Sequence, residues 1–227
     1  MTPCGIGMVA LDIAGTTVDE GGAVYVALRG AVESHTGEPI DDKTFQRWKG
    51  AGKRQAIAGL LGDVPAAEID AVEAVFTDRL LDAYQSTPPT PVPGIEEAFA
   101  VLREHRVKVG LQTGYSRPVA GPLLELLGWR VDRDVDAVVT TDQVRAGRPA
   151  PYLIFRAMEA LGVQSVAEVL VAGDTPNDLR AGTNAGARYV VGVLTGAHDA
   201  ETLRPEPHTH ILTSAATIPE VLGLRGP

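Results

Sequence analysis

The chain has 227 residues, 20 Lys and Arg against 29 Asp and Glu, a formal net charge of -9 and 44% hydrophobic residues. This balance argues against nucleic acid or an anionic membrane surface as a partner, whereas a small anionic substrate needs only a few local cations. The single cysteine, Cys4, excludes an internal disulfide and a cysteine-based zinc site. The first residues lack the basic-then-apolar pattern of a signal peptide, and no apolar run reaches the ~18 residues of a spanning helix. A cytoplasmic protein is expected, with a homodimer as a compatible assembly.

In chain order, an apolar run predicts a buried strand over 7–13. Helical spacing follows over 24–34, with Val24, Leu28, Ala31 and Val32 on one face, then over 44–61 and 66–86. Pro65, Ala66 and Glu68 make a sound start for the third helix. No strand pattern interrupts 20–86. Residues 87–94, TPPTPVPG, carry four prolines and predict a stiff linker or hinge without an element of its own. Beyond it the pattern alternates: helix 95–105, strand 107–112, helix 119–127, strand 137–140, helix 152–161, strand 169–172, helix 179–185, strand 189–193, strand 210–212 and a short helix 218–222. Such alternation implies a parallel sheet covered on both faces, an α/β doubly wound core of the Rossmann kind, with the helices of 21–91 inserted as a cap. The core then comprises 1–20 and 92–227.

Four segments fall at carboxyl ends of the predicted strands or beside them, where ligands bind in open α/β sheets. The first strand delivers Asp12 into a loop of Ala14, Gly15, Thr16 and Thr17, a placement suited to a nucleophile or a metal ligand. Strand 107–112 runs into Thr113, Gly114 and Tyr115, where a hydroxyl and free N–H groups suit phosphate, although a plain helix N-cap has the same look. Arg148 lies in GRPAP, held between two prolines. Strand 169–172 runs into Asp174, Thr175 and Asp178; two carboxylates beside a glycine suit a hard cation with oxygen ligands, and Asp178 would also fit as an ordinary first-turn acid.

These ordered segments resemble the four motifs of the haloacid dehalogenase superfamily, across the whole chain and with a helical cap in the expected place. DIAGTTVDEG, TGYSRP, GRPAP and GDTPNDLRAGTNAGA resemble most its phosphonatase-like branch, because Ala14 stands where most members carry a second aspartate and Arg148 where most carry lysine. The resemblance implies that Asp12 attacks phosphorus and forms an aspartyl-phosphate. It implies Mg²⁺ held by Asp12, the Ala14 carbonyl and Asp174, with Asp178 and Thr175 in support. Thr113 and Arg148 would hold the phosphoryl oxygens, with Gly15, Thr16, Gly114, Tyr115 and Lys49 lining the substrate. Ala14 cannot protonate a leaving alkoxide. The family instead uses a cap lysine in a Gly-x-x-Lys, here Gly50 to Lys53, which forms a Schiff base with an aldehyde and takes up the electrons of the breaking C–P bond.

The chain departs from that branch at Lys49 (methionine in the family), Ala56 (histidine) and Gly22 (cysteine). The expected activity is therefore Mg²⁺-dependent hydrolysis of a small carbonyl phosphonate akin to phosphonoacetaldehyde. The alternatives are a phosphatase of a small phosphate ester without a Schiff base, and a binding protein that keeps the fold. On one helix Lys49 and Lys53 would share a face, so that Lys49 could lower the Lys53 pKa. Lys49 could instead read a further anionic group, or Gly50 and Gly52 could break the helix and part the two amines.

Overall fold

Short apolar segments associate as a parallel sheet, and the described residues supply six of them, all largely buried except the edge strand His210–Leu212, which is half-buried. The computed structural model describes residues 5–224; Cys4 lies outside them. The first strand, β1, is Met8–Leu11, all four residues buried. A two-residue β2, Val18–Asp19, leads into four helices: α1 (Ala23–Thr36), α2 (Asp42–Gln46), α3 (Lys53–Leu61) and α4 (Ala66–Ser86). The chain returns through β3, Thr90–Pro91, which pairs antiparallel with β2, Val18 opposite Pro91. Then follow α5 (Ile95–Glu104), β4 (Lys108–Gln112), α6 (Arg117–Leu127), β5 (Ala137–Val139), α7 (Tyr152–Leu161), β6 (Val169–Gly173), α8 (Pro176–Ala185), β7 (Tyr189–Val193), α9 (Ala200–Leu203), β8 (His210–Leu212) and α10 (Ile218–Val221).

The sheet order is β5-β4-β1-β6-β7-β8, every pair parallel. Alternation along β1 divides the core. Met8 and Ala10 pack with Leu153, Ala157 and Ala181 of α7 and α8, while Val9 and Leu11 join the cluster that holds Ile95, Phe99, Val119 and Leu123 of α5 and α6. Connections run from β1 out to β4 and β5 and then cross back to β6, so the strand order reverses beside β1. Leu11 is level with Leu111 on one side and Ala172 on the other. The residues that follow these strands therefore emerge at one height in the crevice where such sheets bind ligands.

In the helical insertion, Val72, Phe76, Leu80 and Tyr84 recur every fourth residue along α4 and are buried, meeting the buried Val24, Leu28, Ala31 and Val32 of α1. No helix among the described residues is long and apolar enough to cross a membrane.

Three expectations need correction. The helix predicted over 44–61 is broken: α2 ends at Gln46, a turn carries Trp48 to Gly52 with Gly50 at φ 76°, and α3 begins at Lys53. A positive φ of that size suits glycine and ends a helix. Lys49 and Lys53 thus do not lie on one helix face. The proline-rich linker does contain an element, β3, since a two-stranded ribbon leaves room for Pro91, which has no N–H to give. The first strand is shorter than 7–13: Thr16, Thr17 and Val18 all donate N–H to the Ile13 carbonyl, so the chain turns at once after Asp12.

Candidate active site

Asp12 leaves β1 with its N–H bonded to the Ala172 carbonyl at 3.0 Å, and Asp174 follows directly on β6. Asp178 stands in the first turn of α8, where Thr175 and Asp178 form a reciprocal capping box: the Thr175 N–H donates to Asp178 Oδ2 at 3.1 Å and the hydroxyl does likewise. One oxygen of each of the three carboxylates lies within 4.8 Å of the others, and all three residues are buried. Into this group the rigid GRPAP loop brings Arg148, 2.9 Å from Asp12 Oδ1 and also paired with Asp178. Asn184 donates to the Pro149 carbonyl at 2.8 Å and fixes that loop.

Three carboxylates beside one guanidinium leave buried negative charge without compensation. Burial first, opposed by Arg148 and aided by Asp178 and Asp174, raises the Asp12 pKa to about 7; burial and Asp178 raise Asp174 to about 7 as well. An all-oxygen donor set with surplus negative charge fits a hard divalent cation, so Asp12, Asp174 and Asp178 are the residues able to hold one. Thr175 serves as the brace of Asp178. Asp174 is itself braced by the Ala197 N–H at 2.6 Å and the Thr16 hydroxyl at 3.4 Å. Gly15, at φ 77°, admits Asp174: a Cβ there would stand 2.6 Å from Asp174 Oδ2 and 2.8 Å from the Gly196 Cα.

The turn of the insertion docks on the same crevice. The Lys53 N–H donates to the Gly114 carbonyl at 3.2 Å and Asn177 Nδ2 to the Lys49 carbonyl at 3.1 Å. Gly114 has the room this needs, since a Cβ would meet the Ala51 carbonyl at 3.0 Å and Arg148 Nη2 at 3.1 Å. Lys53 is 7% exposed, and its amine donates to the Ala51 carbonyl at 3.3 Å and lies 5.6 Å and 5.7 Å from the ring centres of Tyr115 and Tyr25. Burial and Arg148, opposed by Asp12, Glu20 and Asp174, bring its pKa down to about 8.

Of the residues singled out in the sequence, Asp12, Asp174, Asp178, Arg148 and Lys53 are brought into this one buried cluster. Thr113 sits at the end of β4, its hydroxyl accepting the Tyr115 N–H at 3.1 Å. The Tyr115 hydroxyl is shared with that of Tyr84 at 3.0 Å, so Tyr115 ties core to insertion. Lys49 takes another place. With Ala14, Gly15, Glu20, Tyr25 and Asp174 it lines a cavity of about 300 Å³, and its amine lies 4.9 Å from the Tyr25 ring centre.

Sequence reasoning missed Glu20, Tyr25 and the Thr195–Gly196–Ala197 loop. Glu20 follows β2 directly, and an acid after a two-residue strand carries no periodic mark. Tyr25 reads as one more apolar position of α1. The contact from Ala197 is a backbone N–H, which no residue type announces.

The sequence profile of the haloacid dehalogenase-like hydrolases matches residues 6–186. Phosphonoacetaldehyde hydrolase from Parabacteroides distasonis is 32% identical over 211 residues, covering 84% of this chain and 77% of that protein. Among solved structures, a phosphonoacetaldehyde hydrolase-like protein from Oleispira antarctica superposes with a TM-score of 0.81 at 20% identity, covering 96% of this chain and 91% of the other. The β-phosphoglucomutase of Clostridium difficile gives 0.80 at 18% identity, covering 96% and 97%. At such identities these structures share the fold, and the same fold serves different reactions.

Proposed function

The chain belongs to the haloacid dehalogenase-like hydrolases, on their phosphonatase-like branch, and on that premise we propose that it hydrolyses the C–P bond of a small carbonyl phosphonate with Asp12 as nucleophile and Lys53 as imine-forming amine. One observation carries the reading: a nine-tenths-buried lysine, its pKa brought down to about 8, stands in the same cluster as the buried Asp12 and Arg148. A lysine so placed is an amine ready for a carbonyl; a solvated surface lysine is not.

In this reading residues 21–91 act as the cap over the core of 1–20 and 92–227. Lys53 condenses with the substrate aldehyde. Arg148 turns toward the phosphoryl oxygens, offering among its donors the buried Nε, which has no hydrogen-bond partner, and Thr113 adds its hydroxyl. Asp12 then attacks phosphorus; the C–P electrons flow to the iminium nitrogen, leaving an enamine on Lys53 and an aspartyl-phosphate that water hydrolyses. Mg²⁺ on Asp12, Asp174 and Asp178 would supply the positive charge that lets an anionic nucleophile approach an anionic phosphoryl group. The buried cluster and its seated turn keep water from the imine.

One observation favours the second reading, a phosphatase acting on a small ester. The cavity beside Asp174 is lined by Lys49, and the Lys53 amine is turned to the Ala51 carbonyl. A single assay separates the two. Incubated with phosphonoacetaldehyde and borohydride, the protein gains a covalent mass adduct at Lys53 and loses phosphate release under the first reading. Phosphate release from esters alone, with no adduct, overturns it.

A further inference from the structure

The site as described lacks a group to carry protons. Ala14 cannot, Ala56 is a fully buried apolar residue, and Asp12, Asp174 and Asp178 are committed to Arg148 and to the cation. Yet imine formation requires a hydroxyl to leave as water. We infer that Glu20 is the proton-transfer residue, donating to the departing hydroxyl as the Lys53 carbinolamine closes to the imine; the inference rests on the Lys53 reading above.

The geometry singles out this carboxylate. Glu20 follows β2, the strand through which the chain passes from sheet to insertion, and lines the cavity with Ala14, Asp174, Tyr25 and Lys49. The Val24 N–H in the first turn of α1 holds Glu20 Oε2 at 2.7 Å, which fixes the side chain in the cavity wall, where the Tyr84 hydroxyl also faces the carboxylate. Its neighbours are Lys53, Asp19, Tyr84, Tyr115 and Tyr25: Lys53 favours its ionised form and Asp19 opposes it, while the three tyrosines, kept neutral by burial, all respond to its charge. Asp19 also borders the cavity, but it is exposed and accepts the Gly21 N–H. Burial outweighs these neighbours and pushes Glu20 up to about 7, so both protonation states are at hand at neutral pH, the condition for moving a proton each way.

The step balances. The Lys53 nitrogen adds to the carbonyl carbon to give a carbinolamine. The C–O bond then breaks, the nitrogen lone pair forms C=N, and the Glu20 proton leaves with the hydroxyl as water. An iminium and a carboxylate remain as an ion pair. After C–P cleavage the enamine carbon takes up the proton released when water hydrolyses the aspartyl-phosphate, which restores an iminium; when a second water adds to that iminium, Glu20 takes a proton back from it.

Glu20→Gln tests this, because glutamine can still accept from the Val24 N–H and so keeps the first-turn contact of α1. Borohydride trapping of the phosphonoacetaldehyde adduct is followed by intact mass between pH 5.5 and 9, with melting temperature as the check on folding. In the parent protein the trapping rate should fall through a limb near pH 7. In Glu20→Gln it should drop by about 10²-fold, with that limb gone. Tyr84→Phe, which keeps the carboxylate and removes a hydroxyl that faces it, should move the limb to higher pH, and it answers the question if the glutamine variant does not fold. Parental trapping rate and pH profile in Glu20→Gln, or an unmoved limb in Tyr84→Phe, overturns the assignment and leaves the Lys53 reading intact. Absence of any adduct in the parent, with phosphate still released, removes both.

Discussion

At Asp12 two demands meet in one carboxylate. Burial and two neighbouring acids favour its protonated form, while the proposed attack on phosphorus needs it ionised; Arg148 at 2.9 Å supplies part of the difference. Asp12→Asn removes the proposed nucleophile and also one of three crowded charges. Turnover should fall by at least about 10³-fold, since a covalent mechanism has no substitute for its nucleophile. Stability without metal should be unchanged or higher, because Arg148 keeps Asp178 as a partner and a buried like-charge repulsion is lost. Phosphate release and thermal melting on the same sample check both halves; a folded Asp12→Asn protein with parental turnover excludes Asp12 as nucleophile. At this scale the sequence was informative where a side chain stands one step beyond a strand of the six-stranded sheet: Asp12, Thr113 and Asp174 were legible because the ends of those apolar strands are. It was silent on Glu20 and Ala197, whose roles depend on which neighbours a loop meets.

The element that decides the site is the turn from Trp48 to Gly52. An unbroken helix over 44–61 was the expectation, for the residues from Thr44 to Leu61 do carry a helical period on either side of the break. The signal for the break was present in Gly50 and Gly52, yet a glycine in a helical pattern can also be tolerated, and the neighbour that leaves no room for a side chain at Gly50 is Thr175, on the far side of the interface. A Cβ at Gly50 would strike the Thr175 side chain, the same hydroxyl that braces Asp178. Gly62, at the end of α3, has φ 79° and open space around it. Gly62→Ala should therefore lose only the backbone preference of a φ 79°, ψ -143° position that is nearly exclusive to glycine, about 1–3 kcal/mol, with activity retained. Gly50→Ala should lose more than that, and its turnover should fall at least about tenfold as the turn lifts from Thr175 and Lys53 moves with it. Melting temperatures and phosphate release of the two variants make the comparison; equal losses in both would mean that the seating of this turn has no part in the site. The sheet, by contrast, was legible almost entirely, because strands covered on both faces are apolar throughout and helices between them are apolar on one side. The β2–β3 ribbon was not, since two residues are too few to show a period.

For the whole molecule, the buried charges couple folding to pH and to metal. Asp12, Asp174 and Glu20 stand at about 7 in the folded protein, against about 4 for ordinary acids of their kind. Between those values the folded protein holds protons that the unfolded chain has released. Without metal, stability should fall as pH rises from about 4 through about 7 and then level off, the sign given by proton linkage. Lys53 acts in the next interval. Its folded pKa of about 8 lies below the usual ~10.4, so the unfolded chain binds the extra proton there and stability should recover between those values. The metal-free protein is thus expected to be least stable near pH 7 to 8. On the proposed reading Mg²⁺ would bind the ionised carboxylates and compete with their protons, so its benefit should grow from pH 5.5 to 7.5. At a hundredfold excess over its dissociation constant the gain is about 2.7 kcal/mol, or roughly 5–10 °C for a chain of this size. Melting curves at pH 5.5 and 7.5, with chelator and with Mg²⁺, test this. Asp174→Ala should lose most of the Mg²⁺ increment, and Asp12→Asn should flatten the metal-free slope. A metal-free melting temperature that rises over this interval, or an equal Mg²⁺ increment at both pH values, would show that Asp12 and Asp174 do not act as one buried, cation-seeking unit.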